Sequence, residues 1–344
     1  MNQYQKRITE LRKQLGDDLV IMGHHYQNDA VLRHVDLTGD SLELARKVTT
    51  IDAKHIVFCG VYFMGESAAL LASAEQNIYL PEEDANCVMS QMAPYMLADK
   101  VLTRIKESGR NIVPLTYVNS SVAVKAVCGK HGGSVCTSAN AEKMMRWAME
   151  RGDSVLFLPD KHLARNTAKI IGIPQDSWHI LNIRSKGSQI DMDAVSKSNL
   201  IMWPGCCAIH ARFNERQIDE ARAENPDTKI VIHPEAAPNV IDKADAAGST
   251  SFIIKYVEAA PEGSTIGIGT ELNLVERLAD QYEGSKTIFP LLESTCSHMA
   301  RVTEPKLANT LEAIANGTAK PVKVPAGLVE DAKIALERML IACA

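Results

Sequence analysis

The chain reads as an α/β protein built from three copies of one αβα unit, related by pseudo-threefold symmetry around a central site. Three observations predict it. A buried, β-branched run ending in imidazole, phenol or amide groups occurs three times; helix-like and strand-like segments alternate after each run; and each unit closes on a strand followed by a cysteine.

The opening runs cover residues 19–26, 112–119 and 230–235, continuous apolar stretches of the kind that parallel strands show when both faces are covered. Capping residues follow: Gly39-Asp40-Ser41 ahead of a helix over 42–48, Thr137-Ser138-Ala139-Asn140 ahead of one reaching 149, and Gly248-Ser249-Thr250 ahead of 252–257. Second strands are predicted over 55–59, 154–158 and 264–268, with helices after them over 65–73, 161–171 and 271–282. Third strands over 77–80, 200–203 and 287–290 lead into the loops of Cys87, Cys207 and Cys296. The span from Val20 to Cys87 nearly equals that from Val231 to Cys296, whereas Val113 to Cys207 is longer by a polar insertion near 174–199 with little periodicity. The units divide the chain at 1–92, 93–210 and 211–300. Residues 301–344 read as a tail of two amphipathic helices that packs back on the body.

Composition narrows the function classes. A hydrophobic fraction of 46% with 23% charged residues belongs to a folded chain and not to a disordered one. The longest apolar runs fall short of the roughly 18 residues that a membrane span needs, and the N-terminus has no apolar signal core. A cytoplasmic protein without membrane partners is the expectation. With 37 basic and 42 acidic residues and a net charge of −5, no basic footprint for nucleic acid is present. Eight cysteines in a reducing compartment are fillers or ligands, not a disulfide framework.

Cys87, Cys207 and Cys296 stand at matching places in the three units, which sets them apart from Cys59, Cys128, Cys136, Cys206 and Cys343, expected to be buried fillers. Brought together, three thiolates hold either a zinc ion with an open fourth position or an iron–sulfur cluster with one iron lacking a protein ligand. An open position serves Lewis-acid catalysis. An α/β anion-binding protein with inert cysteines, and a three-cysteine zinc hydrolase, are the competing readings. Gly267-Ile268-Gly269-Thr270-Glu271-Leu272 lacks the third glycine of a dinucleotide fingerprint and is not read as one.

Several blocks resemble the quinolinate synthase family: Gly23-His24-His25-Tyr26-Gln27, Gly39-Asp40-Ser41-Leu42, Tyr117-Val118-Asn119-Ser120, Cys136-Thr137-Ser138-Ala139-Asn140-Ala141 and Phe157-Leu158-Pro159-Asp160. Trp203-Pro204-Gly205-Cys206-Cys207-Ala208-Ile209-His210, His233-Pro234-Glu235, Gly248-Ser249-Thr250-Ser251, Gly269-Thr270-Glu271 and Cys296-Ser297-His298-Met299 continue it, in family order. The resemblance implies a [4Fe–4S] cluster on Cys87, Cys207 and Cys296, with Cys207 chosen over Cys206 as the cysteine three before the histidine. It further implies condensation of iminoaspartate with dihydroxyacetone phosphate to quinolinate, phosphate and two waters in de novo NAD biosynthesis, with L-aspartate oxidase as the candidate supplier of the imine.

The residue roles follow the same resemblance. Ser41, Ser138, Ser249 and Thr250 stand at helix N-termini, where free N–H groups favour carboxylate or phosphate, and bind substrate. His24, Tyr26, Tyr117, Asn119 and His233 orient substrate and relay protons. Along a strand, His24 and Tyr26 share one side and His25 takes the other. Glu235, two residues after His233, is the candidate general base, and His210 a neighbour that steadies the Cys207 loop. His25, His34, His131 and His179 are expected to be structural.

Overall fold

A computed structural model describes residues Met1–Ala344. After α1 (Gln3–Leu15), whose Asn2 and Gln5 form a reciprocal cap, the first repeat runs β1 (Leu19–His24), α2 (Asp29–Leu32), β2 (Leu37–Gly39), α3 (Ser41–Val48), β3 (His55–Cys59), α4 (Tyr62–Leu71), β4 (Asn77–Tyr79) and α5 (Val88–Gln91). The second follows as α6 (Tyr95–Glu107), β5 (Ile112–Tyr117), α7 (Val122–Lys130), β6 (Ser134–Cys136), α8 (Ala141–Met149), β7 (Ser154–Leu158), α9 (Lys161–Ile171), β8 (Trp178–Ile180), α10 (Met192–Lys197) and β9 (Leu200–Met202). The third comprises α11 (Glu215–Glu224), β10 (Lys229–Ile232), α12 (Pro238–Lys243), β11 (Ala246–Ala247), α13 (Thr250–Ala259), β12 (Thr265–Gly269), α14 (Leu272–Gln281) and β13 (Thr287–Pro290). The chain ends with α15 (Glu304–Ala315) and α16 (Ala326–Ala342).

Three all-parallel sheets result, with orders β2-β1-β3-β4, β6-β5-β7-β9-β8 and β11-β10-β12-β13. The fold is therefore α/β and threefold repeated, with one difference from the sequence expectation. Each unit carries a fourth strand, β2, β6 or β11, inserted between its first helix and the helix that follows the cap. These strands have three, three and two residues, too short for any alternation to show. The polar stretch near 174–199 is likewise ordered: β8 extends the middle sheet by one half-exposed edge strand, and Trp178 Nε1 ties it to Ile173 O at 3.1 Å.

Central strands are filled by Ile and Val, and one continuous core draws on all three sheets, so the repeats form one body. The α15 helix lies on α1, and α16 lies along α7 and over the exposed edge of β6, where Ser134 Oγ donates to Ala335 O at 3.0 Å. Close approach of α16 to α7 requires Gly129, since a Cβ there would sit 1.8 Å from Asp331 O. No helix is long and apolar enough to cross a membrane.

Candidate active site

In every sheet the chain turns from one side to the other between the first and third strands, so a crevice opens at their carboxyl ends, the usual ligand position of such sheets. His24 and Tyr26 leave β1, Tyr117 and Asn119 leave β5, and His233 and Glu235 leave β10. All six line one central cavity together with Ser41, Ser138, Thr250, Cys87, Cys207 and Cys296. Ser249 is the exception: its hydroxyl accepts from Phe252 N–H at 3.3 Å as the cap of α13 and is not part of the cavity wall. His25 points away, toward Glu43 at 3.9 Å, while the His24 and Tyr26 rings meet edge to face at 4.6 Å.

The helix-entrance rationale needs correction at α3. Asp40, not Ser41, is its cap, and Asp40 Oδ1 already takes the N–H groups of Leu42 at 2.9 Å and Glu43 at 3.0 Å. Its other oxygen accepts from Ser251 Oγ at 2.7 Å, tying the entrance of α3 to that of α13. Ser41 thus contributes a hydroxyl beside a carboxylate, while four buried atoms in the wall lack partners: Asn119 Oδ1, Thr137 Oγ1, His233 Nδ1 and Glu235 Oε1. Buried polar atoms left unpaired are costly, which marks them as groups that meet a ligand.

A chain of hydrogen bonds runs behind the cavity. Glu235 Oε2 accepts from His210 Nδ1; His210 Nε2 lies 3.2 Å from Thr270 Oγ1, Thr270 lies 2.8 Å from the Tyr26 hydroxyl, and Thr250 Oγ1 reaches the same hydroxyl at 3.3 Å. A carboxylate only accepts, so His210 Nδ1 carries a proton and donates it to Glu235. Burial pushes the Glu235 carboxyl upward, but the His210 and His233 imidazoles and the hydrogen bonds from His210 and Tyr117 outweigh it and hold the group below its ordinary value. Burial, with neighbouring positive groups, lowers His24 to about 3, and burial with the His210 ring lowers His233 to about 3. His24 Nδ1 accordingly accepts, from Tyr26 N–H at 3.1 Å. Burial raises both Tyr26 and Tyr117 well above the ordinary phenol range.

The three cysteine loops are held alike. In each repeat the first N–H of the helix after the second central strand donates to the carbonyl two residues before a cysteine: Tyr62 to Ala85 at 2.9 Å, Lys161 to Gly205 at 3.0 Å, and Leu272 to Ser294 at 3.0 Å. That register makes Cys87, Cys207 and Cys296 equivalent and leaves Cys206 one place out of step. Nearby backbone N–H groups, those of Met89 and Ser90, of His210, and of His298 and Met299, favour the ionised form of each thiol.

A family model described as quinolinate synthetase A protein matches residues 6–341. The chain belongs to the quinolinate synthetase A family. Among curated relatives, the quinolinate synthase of Corynebacterium glutamicum is 44% identical over 341 residues, covering 97% of this chain and 86% of that protein. The enzyme of that name from Streptomyces coelicolor is 42% identical over 342 residues (97% and 87%), and that of Bacillus cereus 40% over 341 residues (98% and 92%). As a member of the quinolinate synthetase A family, the chain is an enzyme.

Burial raises all three thiols, Cys87 to about 12, and neighbouring thiol and carboxyl groups add to the rise, so they become thiolates only against a cationic partner. The set of three ligand atoms within 4.8 Å of one another is Cys207, His210 and Glu235, not the three sulfurs. One zinc ion, at about 2.3 Å from each sulfur, would draw its sulfurs to about 3.8 Å apart. The three sulfurs do not all lie within 4.8 Å of one another, wider than a single zinc ion would draw them.

Thr270, Asp40 and His210 in its partnership with Glu235 were not legible as site residues. Thr270 and His210 lie in blocks that mark the family, Gly269-Thr270-Glu271 and Cys207-Ala208-Ile209-His210, but nothing local shows that they meet across the cavity.

Proposed function

We propose that the chain is a quinolinate synthase that condenses iminoaspartate with dihydroxyacetone phosphate, releasing phosphate and two waters, in de novo NAD biosynthesis. The observation that carries the reading is the set of three cysteines in one backbone register, one per repeat, opening on a cavity whose buried acceptors lack partners. A [4Fe–4S] cluster on Cys87, Cys207 and Cys296 would supply a Lewis-acidic iron without a protein ligand, able to polarise a substrate hydroxyl or carboxylate.

The remaining chemistry falls to side chains. Ser41, Ser138 and Thr250 offer hydroxyls to the anionic groups of both substrates, with Asn119 and His24 orienting them; Ser249 supports this entrance as the cap of α13. Glu235 is the base: Oε2 is anchored by His210, and Oε1 is left toward the substrate. His210 Nδ1 already carries the proton it donates to Oε2, so a proton taken up at Oε1 stays on Glu235 for return to a leaving hydroxyl, while Thr270 and Tyr26 hold the His210 ring from behind. Tyr117 and His233 flank the carboxylate. The cavity wall is made of buried side chains from all three repeats, which would shield an imine from bulk water. The lability of that imine favours an L-aspartate oxidase acting close by, and a reducing cytoplasm suits free cysteines.

Anaerobic reconstitution with iron and sulfide, followed by a quinolinate assay on imine generated in place and dihydroxyacetone phosphate, tests the reading. A brown protein with acid-labile sulfide and quinolinate formation is expected. A colourless protein holding zinc, or a clustered protein forming no quinolinate, overturns it.

A further inference from the structure

The caps of α9 and α14 do more than start helices. Asp160 Oδ1 accepts from His162 and Leu163 N–H at 2.7 and 2.8 Å, and its Oδ2 accepts from Cys207 N–H at 3.0 Å. Glu271 repeats the division: Oε2 accepts from Asn273 N–H at 2.8 Å, and Oε1 accepts from Asn273 Nδ2 at 3.0 Å and Cys296 N–H at 3.3 Å. Each side chain stands at the same step of its repeat, directly before the helix residue whose N–H holds the carbonyl two places ahead of the cysteine.

Capping alone does not call for this. Ser or Asn caps a helix as well as Asp without burying a charge, yet both carboxylates are fully buried. Only a carboxylate presents acceptors on two edges and no donor, which is what serving a helix start and a cysteine amide together requires. In the first repeat the corresponding residue is Val61, which makes no side-chain cap bond, so Cys87 N–H has no such carboxylate; its loop is held by the main-chain bond from Tyr62 to Ala85, by Arg301 Nη1 to Asp84 O at 2.6 Å and by Ser90 Oγ to Cys87 O at 2.6 Å.

We propose that Asp160 and Glu271 are positioning residues that preset the Cys207 and Cys296 loops for the cluster, leaving Cys87 as the ligand that adapts. The proposal rests on the cluster reading above for its consequence and on the hydrogen bonds alone for its geometry. Asp160→Asn and Asp160→Ser retain a cap and remove the second acceptor; Glu271→Gln does the same in the third repeat.

The test uses the full chain, reconstituted anaerobically. Expected results are apo-protein melting temperatures within a few degrees of wild type, but cluster bleaching by a chelator accelerated about tenfold or more, with an altered visible and electron paramagnetic spectrum. In the apo-protein, amide exchange at Cys207 speeds up in the Asp160 variants and at Cys296 in Glu271→Gln, while the Cys87 segment is unchanged. Bleaching and exchange within twofold of wild type for all variants overturns the proposal, as does loss seen only in Asp160→Ala, which removes the cap as well. If one variant fails to fold, the other two carry the test. A wild-type chain that takes up no iron and sulfide defeats the cluster reading, and amide exchange then decides by itself whether the carboxylates hold the loops.

Discussion

The imidazoles of His210 and His233 lie stacked, centroids 4.2 Å apart and planes within 13° of parallel, although one comes from the second repeat's cysteine loop and the other from β10. Glu235 Oε2 faces both rings, bonded to His210 and 3.4 Å from His233 Nδ1. The stack keeps the carboxylate from turning, so that Oε1 is the oxygen presented to the cavity. Glu235→Gln is expected to keep its cluster iron and to lower kcat by about 10²–10⁴, the range of a lost general base. Iron and sulfide analysis beside a quinolinate assay checks this, and near-normal turnover would remove Glu235 from the chemistry.

Thr270→Val keeps shape but deletes the hydroxyl shared by Tyr26 and His210. Two buried groups then lose a partner at about 1–3 kcal/mol each. A lower melting temperature and a kcat reduced about tenfold or more are expected, with Thr270→Ser recovering both. A Val variant as active as wild type would show that this chain does not steady Glu235 for its work.

Among the cysteines, single Ser substitutions at Cys87, Cys207 and Cys296 are expected to abolish stable cluster uptake, and Cys206→Ser to leave it intact. Anaerobic iron and sulfide counts decide. Full iron content in Cys207→Ser with loss in Cys206→Ser reverses the assignment that the backbone register makes.

Mild acid should act on the fold through its buried histidines. His24 and His233 are lowered from near 6.5 to about 3 by burial, so below about pH 6.5 the unfolded chain binds protons that the folded chain does not. Their share of the stability is full above that pH and falls as the pH drops toward 3, by about 1.4 kcal/mol per unit for each histidine. Burial raises the carboxyls of Asp160 to about 8 and Glu271 to about 7, a contribution of opposite sign across the same range, so the histidine share is read from a difference: the urea midpoint of apo His24→Asn should gain on that of wild type between pH 7 and 4.5, and a constant difference contradicts it.

Gly129→Ala trades about 1 kcal/mol of helix propensity against a Cβ placed 1.8 Å from a main-chain oxygen of α16. Since backbone cannot swing aside as a side chain does, a net loss of about 1–3 kcal/mol is expected. A melting temperature equal to or above wild type would mean that α16 is free to shift.

The larger pattern was legible because its signals are strong. Buried runs such as those of β3 and β7 are bounded by polar residues and come out at the observed residues, 55–59 and 154–158. What escaped has a physical reason in each case. The β11 strand has two residues and no period, β8 is an edge with one face in water, and the helices that precede β2, β6 and β11 are hidden by the loops around them. At the site, alternation along a strand separated His24 and Tyr26 from His25, a local property. The Tyr26–Thr270–His210–Glu235 chain joins three repeats and exists only once they are packed. Asp40 was visible as a cap but not as the residue whose carboxylate fills the place foreseen for a substrate anion.

The bond from the first helix N–H to the carbonyl two residues ahead of each cysteine uses no side chain at either end. Tyr62, Lys161 and Leu272 have nothing in common chemically, nor do Ala85, Gly205 and Ser294. Any residue except proline can donate and any residue can accept, so the bond itself sets no demand on side-chain identity; only Gly205 is fixed for another reason, since a Cβ there would lie 2.6 Å from Pro159 O. Copies of an ancestral unit could therefore drift until almost no letters agreed while their thiols stayed converged on one point, which is how a symmetric centre persists inside a chain whose thirds no longer look alike.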